Sequence, residues 1–155
     1  MPDLERRVHH LVNERRAHAH LKPLAFDERL AKIARAHSQD MVRRNFFNHV
    51  NPDRLDPTAR GKRAGYICRK EYAGHFTQGL GENLLEEPLY RRIRIGGGAR
   101  IYDWHSSEEL ATLSVKGWMN SSGHRRNILE PKYDKTGVGI AISGENRVYI
   151  TQVFC

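Results

Sequence analysis

Apolar residues recur at helical spacing in the first third of the chain. We predict a first helix over residues 3–20, capped by Asp3, because its apolar positions fall on one face. A second helix is predicted to start after Asp27 and to end near Arg44. A short third helix is predicted over residues 58–64. The apolar face of the second helix comprises Leu30, Ile33, Ala34, His37 and Met41.

A capping motif and two apolar segments organise the end of the chain. Ser106 and Glu109 have the spacing of a capping box, so we predict a helix from Ser106 to about Asn120. Two strands are predicted over residues 137–142 and 147–154, joined by a Ser-Gly-Glu-Asn turn. Helices followed by antiparallel strands predict an α+β fold.

The segment between the third and fourth predicted helices carries weaker signals. Residues 65–81 are rich in glycine and are predicted to be irregular, whereas residues 83–85 are apolar enough for a short strand. Residues 88–104 are predicted to be a loop, because they combine several arginines with three consecutive glycines. Most of this segment is therefore expected to form surface loops.

Composition excludes several classes of protein. Of the 155 residues, 39% are hydrophobic and 28% are charged, which fits one globular domain over residues 1–155. No apolar run approaches the roughly 20 residues that a membrane span needs. The first residues are charged and lack the apolar segment of a signal peptide. Either the protein stays inside the cell, or this chain begins after a removed leader.

The charge balance favours anionic partners without identifying one. The net charge is +8 and the isoelectric point is about 9.8, which is enough to attract nucleic acid or an anionic surface. The basic residues are spread along the chain, so specific nucleic-acid binding is not expected. Solubility alone is the simpler explanation of the charge.

Two cysteines, Cys68 and Cys155, limit the possible sulfur chemistry. They exclude a four-cysteine metal site and a Cys-x-x-Cys motif. A disulfide between them would close a long loop and add about 4–5 kcal/mol to stability. Two free thiols are equally compatible with the sequence.

Three polar residues stand in aromatic or glycine-rich surroundings and are candidates for chemistry. His49 follows two phenylalanines, and its imidazole can bind a metal or transfer a proton. Glu82 can orient a histidine or a water molecule. His124 can be a metal ligand, or it can stabilise a helix C-terminus. Ordinary structural roles remain open for all three.

Other histidines are expected to be structural. His10, Glu14 and His18 share one face of the first helix, and we predict a solvated surface there, with a weak metal site as the alternative. His37 lies within the apolar face of the second helix, where a core histidine is favoured over a ligand.

An ordered series of motifs resembles the CAP superfamily, which includes the cysteine-rich secretory proteins, insect antigen 5 and plant pathogenesis-related proteins. The resemblance covers nearly the whole chain and is strongest to the prokaryotic branch. It implies a three-layer α-β-α sandwich with a central antiparallel sheet. Residues 67–80 and 88–104 depart from the family pattern and are expected to be loop inserts. The motifs are Leu11-Val12-Asn13-Glu14-Arg15-Arg16, Ala36-His37-Ser38-Gln39-Asp40-Met41, Phe46-Phe47-Asn48-His49, Pro57 with Arg60, Gly81-Glu82-Asn83, Trp118 to Asn127, Gly137-Val138-Gly139 and Thr151-Gln152-Val153-Phe154.

The resemblance also implies a cleft that two histidines and two glutamates line in animal and plant members. This chain supplies His49, Glu82 and His124, and Asn83 is expected to line the cleft beside them. Ser121 stands where the second glutamate would be, as it often does in prokaryotic members. The departure weakens the case for a carboxylate-rich metal site.

We therefore expect a secreted or cell-surface binding module whose His/Glu cleft takes Zn²⁺ or another divalent cation. Glu82 would be either a metal ligand or a residue that holds a ligand in place. Its partner would be an extracellular protein, a lipid or a polymer, and the chain would be a monomer or a weak dimer. One alternative is a metal-assisted hydrolase at the same cleft. Another is a cationic protein that binds anionic ligands or membranes through basic residues of the second insert. These are Arg91, Arg92, Arg94 and Arg100.

Overall fold

The computed structural model describes residues 2–155 and contains five helices. The helices predicted from periodicity and caps are confirmed to within about two residues at each end. A fifth helix, which is short and directly follows the fourth, is not predicted from the sequence. None of the helices in residues 2–155 has the length and apolarity that a membrane span requires. The helices are α1 (Pro2–His18), α2 (Glu28–Arg44), α3 (Pro57–Arg63), α4 (Ser107–Asn120) and α5 (Ser122–Ile128).

In the described part of the chain, residues 2–155, eight strands form one central sheet and two separate hairpins. The central sheet has the order β1-β7-β8-β4, and it is antiparallel except that the two-residue β1 runs parallel to β7. The strands β2 and β3 form one hairpin, and β5 and β6 form the other. The strands are β1 (Ala25–Phe26), β2 (Arg69–Tyr72), β3 (His75–Gln78), β4 (Gly81–Pro88), β5 (Tyr90–Gly96), β6 (Ala99–Trp104), β7 (Lys135–Ile142) and β8 (Arg147–Phe154).

The two hairpins correct the prediction for the middle of the chain. Residues 65–81 are not irregular throughout, because β2 and β3 pair over four residues each. Residues 88–104 are not a loop, because β5 and β6 pair around a turn at Gly97 and Gly98. Both glycines have positive φ angles, 59° and 77°, as the tight turn of a two-residue hairpin requires.

Helices cover both faces of the central sheet, which confirms the α-β-α sandwich. Alternate residues of β7 and β8, such as Val138 and Ile150, enter a core shared with α1, α4 and α5. The residues between them face α2, where Val153 packs with Leu30 and Ala34. The two-residue periodicity of the strands thus divides the interior into two layers.

Two glycines let α2 approach the sheet closely. A Cβ atom at Gly139 would lie 2.0 Å from the backbone nitrogen of Arg35, and one at Gly137 would lie 2.1 Å from that of Ala31. Such distances are far inside van der Waals contact, so any side chain at either position would push α2 away from β7. The position of α2 matters for function, because it carries His37 toward the strand β4.

A disulfide joins Cys68 to Cys155, which settles the alternatives left open by the sequence. The two residues are 87 positions apart, and their Cα atoms are 5.6 Å apart. The bond ties the start of the β2–β3 hairpin to the end of β8. Both cysteines also pack in the α2 layer of the core.

Candidate functional site

The carboxylate of Glu82 is the centre of the candidate site. Glu82 is the second residue of β4 and pairs with Val153 of β8, which places its side chain on the face of the sheet that α2 covers. The side chain is 1% exposed. A carboxylate buried to this degree must be paired or hydrogen-bonded to remain charged.

Three side chains surround that carboxylate. Oε1 lies 2.9 Å from Nδ1 of His49, and Oε2 accepts a hydrogen bond from Nη2 of Arg60. The other terminal nitrogen of Arg60 donates to the backbone oxygens of His49, at 2.7 Å, and Leu55, at 2.9 Å. Arg60 therefore neutralises Glu82 and fixes the loop that presents His49.

His37 supplies the third neighbour from α2. Its ring is buried, its Nε2 lies 3.0 Å from the backbone oxygen of Asn48, and the same nitrogen is 3.9 Å from Oε1 of Glu82. Burial lowers the pKa of His37, although the charge of Glu82 opposes the effect. The structure confirms a core histidine and places it directly behind the site.

An asparagine pair joins α5 to β4 and positions His124. Asn127 donates from Nδ2 to the backbone oxygen of Glu82, at 3.0 Å, and to Oδ1 of Asn83, at 2.9 Å. Asn83 in turn donates to the backbone oxygen of His124 at 3.1 Å. Asn83 is fully buried and holds this helix in place. Ser121, between α4 and α5, is half-buried and forms no side-chain capping bond.

His49 and His124 lie within electrostatic reach of each other. Burial lowers the pKa of His124, and a charge on His49 lowers it further. His124 is therefore a neutral imidazole at neutral pH, which is the form that binds metals. The ring of His49 is 48% exposed, and its Nδ1 is occupied by Glu82. Its Nε2 is the nitrogen left for a ligand.

The candidate metal donors at this site are the imidazoles of His49 and His124. In residues 2–155 no three His, Cys, Asp or Glu side chains are grouped closely enough to hold a metal ion together. Both carboxylate oxygens of Glu82 are engaged, Oε1 by His49 and Oε2 by Arg60. A carboxylate that accepts from the far nitrogen of a ligating histidine is a common arrangement around metals.

A cavity of about 720 Å³ lies beside the site, between α2 and α3. Its walls include His37 and Arg60 but not His49, Glu82 or His124. His37 and Arg60 thus lie between the cavity and the carboxylate of Glu82.

The predicted solvated surface on the first helix agrees with the structure. Nε2 of His10 is 3.3 Å from Oε1 of Glu14, and both side chains are exposed.

Residues 9–154 match the family described as CAP, the cysteine-rich secretory protein family. The match spans most of α1, the other four helices, the central sheet and all three predicted site residues. The chain belongs to the CAP family. The resemblance drawn from the motifs is thereby confirmed.

Two bacterial proteins are similar to this CAP chain in sequence. YkwD of Bacillus subtilis (strain 168), an uncharacterized protein, is 36% identical over 140 residues, which is 90% of this chain and 43% of YkwD. YlbC of the same organism, an uncharacterized membrane protein, is 30% identical over 151 residues, which is 97% of this chain and 34% of YlbC. The chain thus spans less than half the length of these relatives.

Solved structures agree with the CAP fold. An extracellular protein containing an SCP domain from Bacillus anthracis str. Ames has a TM-score of 0.71 and 26% identity, and the match covers 99% of this chain and 40% of that one. An outer surface protein from Borrelia burgdorferi has a TM-score of 0.70 and 16% identity, and the match covers 98% of this chain and 91% of that one. The second likeness concerns the fold alone.

Three residues that shape the CAP site were not predicted as site residues. Arg60 and Asn127 belong to the family motifs but have no predicted role, and His37 is predicted to be a core residue. The only hint of a role for Arg60 in the sequence is indirect. Glu82 precedes apolar strand residues, and a glutamate that is buried there needs a cationic partner. Arg60 and Glu82 are 22 positions apart, and nothing in the sequence between them indicates that they pair.

Proposed function

We propose that this CAP domain is an extracellular binding module whose cleft takes a divalent cation through His49 and His124. The observation that carries the proposal is the contact between Oε1 of Glu82 and Nδ1 of His49. A buried carboxylate that accepts from Nδ1–H fixes the tautomer in which the lone pair is on Nε2. His49 thereby presents a preoriented ligand atom at its exposed edge.

Glu82 acts in this proposal as a positioning residue and not as a ligand. Both of its oxygens are engaged, one by His49 and one by Arg60. Withdrawing the carboxylate from Arg60 would leave a buried guanidinium unpaired, which costs several kcal/mol. The site therefore offers two imidazoles and no negative ligand, a set that binds Zn²⁺ weakly.

Weak coordination with free positions would allow the bound cation to contact a partner molecule as well as the protein. Two protein ligands leave at least two positions of a tetrahedral ion for water or for a group of a partner. Ser121 is consistent with this arrangement, because it adds no carboxylate at the position where other members have one. The crystal structure of NaASP2 with Zn²⁺ shares the fold, with a TM-score of 0.52 and 14% identity.

The disulfide supports an extracellular location for the module. Disulfides persist in oxidising compartments and are rare in the cytosol. Cys68 and Cys155 account for both cysteines of the chain. A neighbour in structure, from Bacillus anthracis str. Ames, is itself described as extracellular.

A calorimetric titration with Zn²⁺ at neutral pH tests the proposal. The wild type should give a one-site isotherm that disappears in a His49→Ala/His124→Ala variant. The matched control is His10→Ala/His18→Ala, which also removes two histidines and should bind as the wild type does. Glu82→Gln, checked for folding by its thermal transition, should weaken binding about 10–100-fold. Equal binding by wild type and the first variant, or no binding by wild type, would refute the site.

A further inference from the structure

The β5–β6 hairpin exposes apolar and cationic side chains together. Ile95 is 84% exposed, Ile101 is 49% exposed and Trp104 is 48% exposed. Both strands pair chiefly with each other, and neither belongs to the central sheet. A two-stranded ribbon of this kind is marginally stable on its own in water. Large exposed apolar side chains on such an element indicate a surface that binds something.

The register of the hairpin sorts its side chains onto two faces. Ile93 is opposite Tyr102 and Ile95 is opposite Arg100, so these four share one face. Trp104 continues the same face, and its ring stacks on Tyr102 with centroids 4.9 Å apart. This surface, which we call the aromatic face, comprises Tyr90, Ile93, Ile95, Arg100, Tyr102 and Trp104.

The opposite face is cationic and apolar at the tip. Arg94 is opposite Ile101 there, next to the turn at Gly97 and Gly98. Within residues 2–155, Arg94 and Arg100 form no salt bridge, whereas Arg91 is held at the base of the hairpin by Asp103 and Glu109. The two unpaired arginines therefore lie on opposite faces of the ribbon, each beside an exposed isoleucine.

We propose that the tip of the β5–β6 hairpin docks on an anionic lipid bilayer. Isoleucine side chains enter the boundary between headgroups and acyl chains, and the arginines extend to lipid phosphates. Tyrosine and tryptophan are the residues that favour the membrane–water interface, and the aromatic face supplies both. Backbone groups along the outer edges of the ribbon keep the insertion shallow, because the bilayer core offers them no partners.

Charge and geometry favour lipid over the other possible occupants. A second copy of this chain would bring two more unpaired arginines against Arg94 and Arg100, and like charges repel. A protein partner that covers one face of the ribbon would reach only one of these arginines. Lipid headgroups can surround the tip and reach both. The hairpin is thus a membrane-docking surface separate from the histidine cleft.

Sedimentation with vesicles tests the proposal directly. The wild type should bind vesicles of phosphatidylcholine mixed with phosphatidylglycerol, should not bind phosphatidylcholine alone, and should bind less as salt rises. Arg94→Gln/Arg100→Gln should lower the partition coefficient about thirtyfold, as expected for the loss of two charges near an anionic surface. The matched control, Arg15→Gln/Lys22→Gln, removes two exposed charges from outside the hairpin and should lower it far less.

Two further variants separate insertion from simple charge attraction. Ile95→Ser keeps every charge and should still weaken vesicle binding severalfold. Ile95→Trp in a Trp104→Phe background places a reporter at the tip, whose emission should shift to the blue on anionic vesicles. These residues are exposed, so the thermal transition should not change. Equal losses in the arginine variant and its control, an unshifted emission spectrum, or binding to soluble polyphosphate but not to vesicles would each overturn the proposal.

Discussion

Oε1 of Glu82 lies 2.9 Å from Nδ1 of His49, so a buried strand residue holds the ring of a half-exposed loop residue. The contact links the interior of the fold to the loop that carries His49. It engages Nδ1 of His49, and Arg60 balances the charge of the same carboxylate. His49, Glu82 and Arg60 thus form one connected polar group that reaches from the core to the surface.

Removing Arg60 should destabilise the fold strongly. Arg60→Met leaves the carboxylate of Glu82 buried without its cation, and the free energy of unfolding should fall by about 3–5 kcal/mol. Urea denaturation measures this loss. Arg63→Met, at an exposed position of the same helix, should change stability by no more than about 0.5 kcal/mol. Similar values for the two variants would show that the ion pair is not structural.

Acidification should weaken the fold through His37. Its pKa lies below the ordinary 6.5 because burial outweighs Glu82 and Asp40, and Arg60 lowers it further. Below about pH 6.5 the unfolded chain takes up this proton more readily than the folded one, so stability falls as pH falls. Urea denaturation between about pH 7.5 and 5.5 should show a shallower decline for His37→Gln than for wild type. An unchanged slope would argue against a buried neutral His37.

The disulfide should contribute substantially to stability. Cys68 and Cys155 close a loop of 87 positions, for which chain entropy gives about 4–5 kcal/mol. The double variant Cys68→Ser/Cys155→Ser should lose most of this amount in chemical denaturation, and added reductant should then have no further effect. Wild type should lose a similar amount when reduced. Equal stability of the oxidised and reduced wild type would contradict the assignment.

Gly139→Ala should destabilise the fold far more than the addition of one methyl group would suggest. The new methyl group would meet the backbone of α2 at 2.0 Å from the nitrogen of Arg35, and α2 would have to move. Overpacking of this kind typically costs about 1–3 kcal/mol or more. The matched control is Gly144→Ala in the β7–β8 turn, where a Cβ atom meets nothing within 4 Å. Comparable thermal transitions for the two variants would show that α2 is packed less tightly on the sheet.

The sequence predicts the parts of this fold that have a clear period or cap. The helices α1, α2 and α4 follow from apolar spacing and from Asp27 and Ser106. The β7–β8 hairpin follows from two apolar runs around a polar turn. The two other hairpins were missed, because their outward-facing arginines and their glycine turns look like loops. The helix α5 was missed because it is seven residues long and Ser121 forms no side-chain cap.

The candidate site is only partly visible in the sequence. The resemblance to the family pointed to His49, Glu82 and His124, and the structure brings them to one region. Their supporting contacts were not predictable, because Arg60 reaches Glu82 across 22 residues and Asn127 reaches it across 45. Such long-range polar contacts depend on how helices and strands pack together, and local sequence patterns do not predict them.

The most direct test of the account is the response of individual histidine nitrogens to Zn²⁺, followed by NMR on histidine labelled with nitrogen-15. Before metal is added, His49 should carry its proton on Nδ1, as its contact with Glu82 requires. Added Zn²⁺ should then shift Nε2 of His49 and a ring nitrogen of His124 before those of any other histidine. A first response at His10 or His18, or no response at any ring, would contradict a cation site in the cleft.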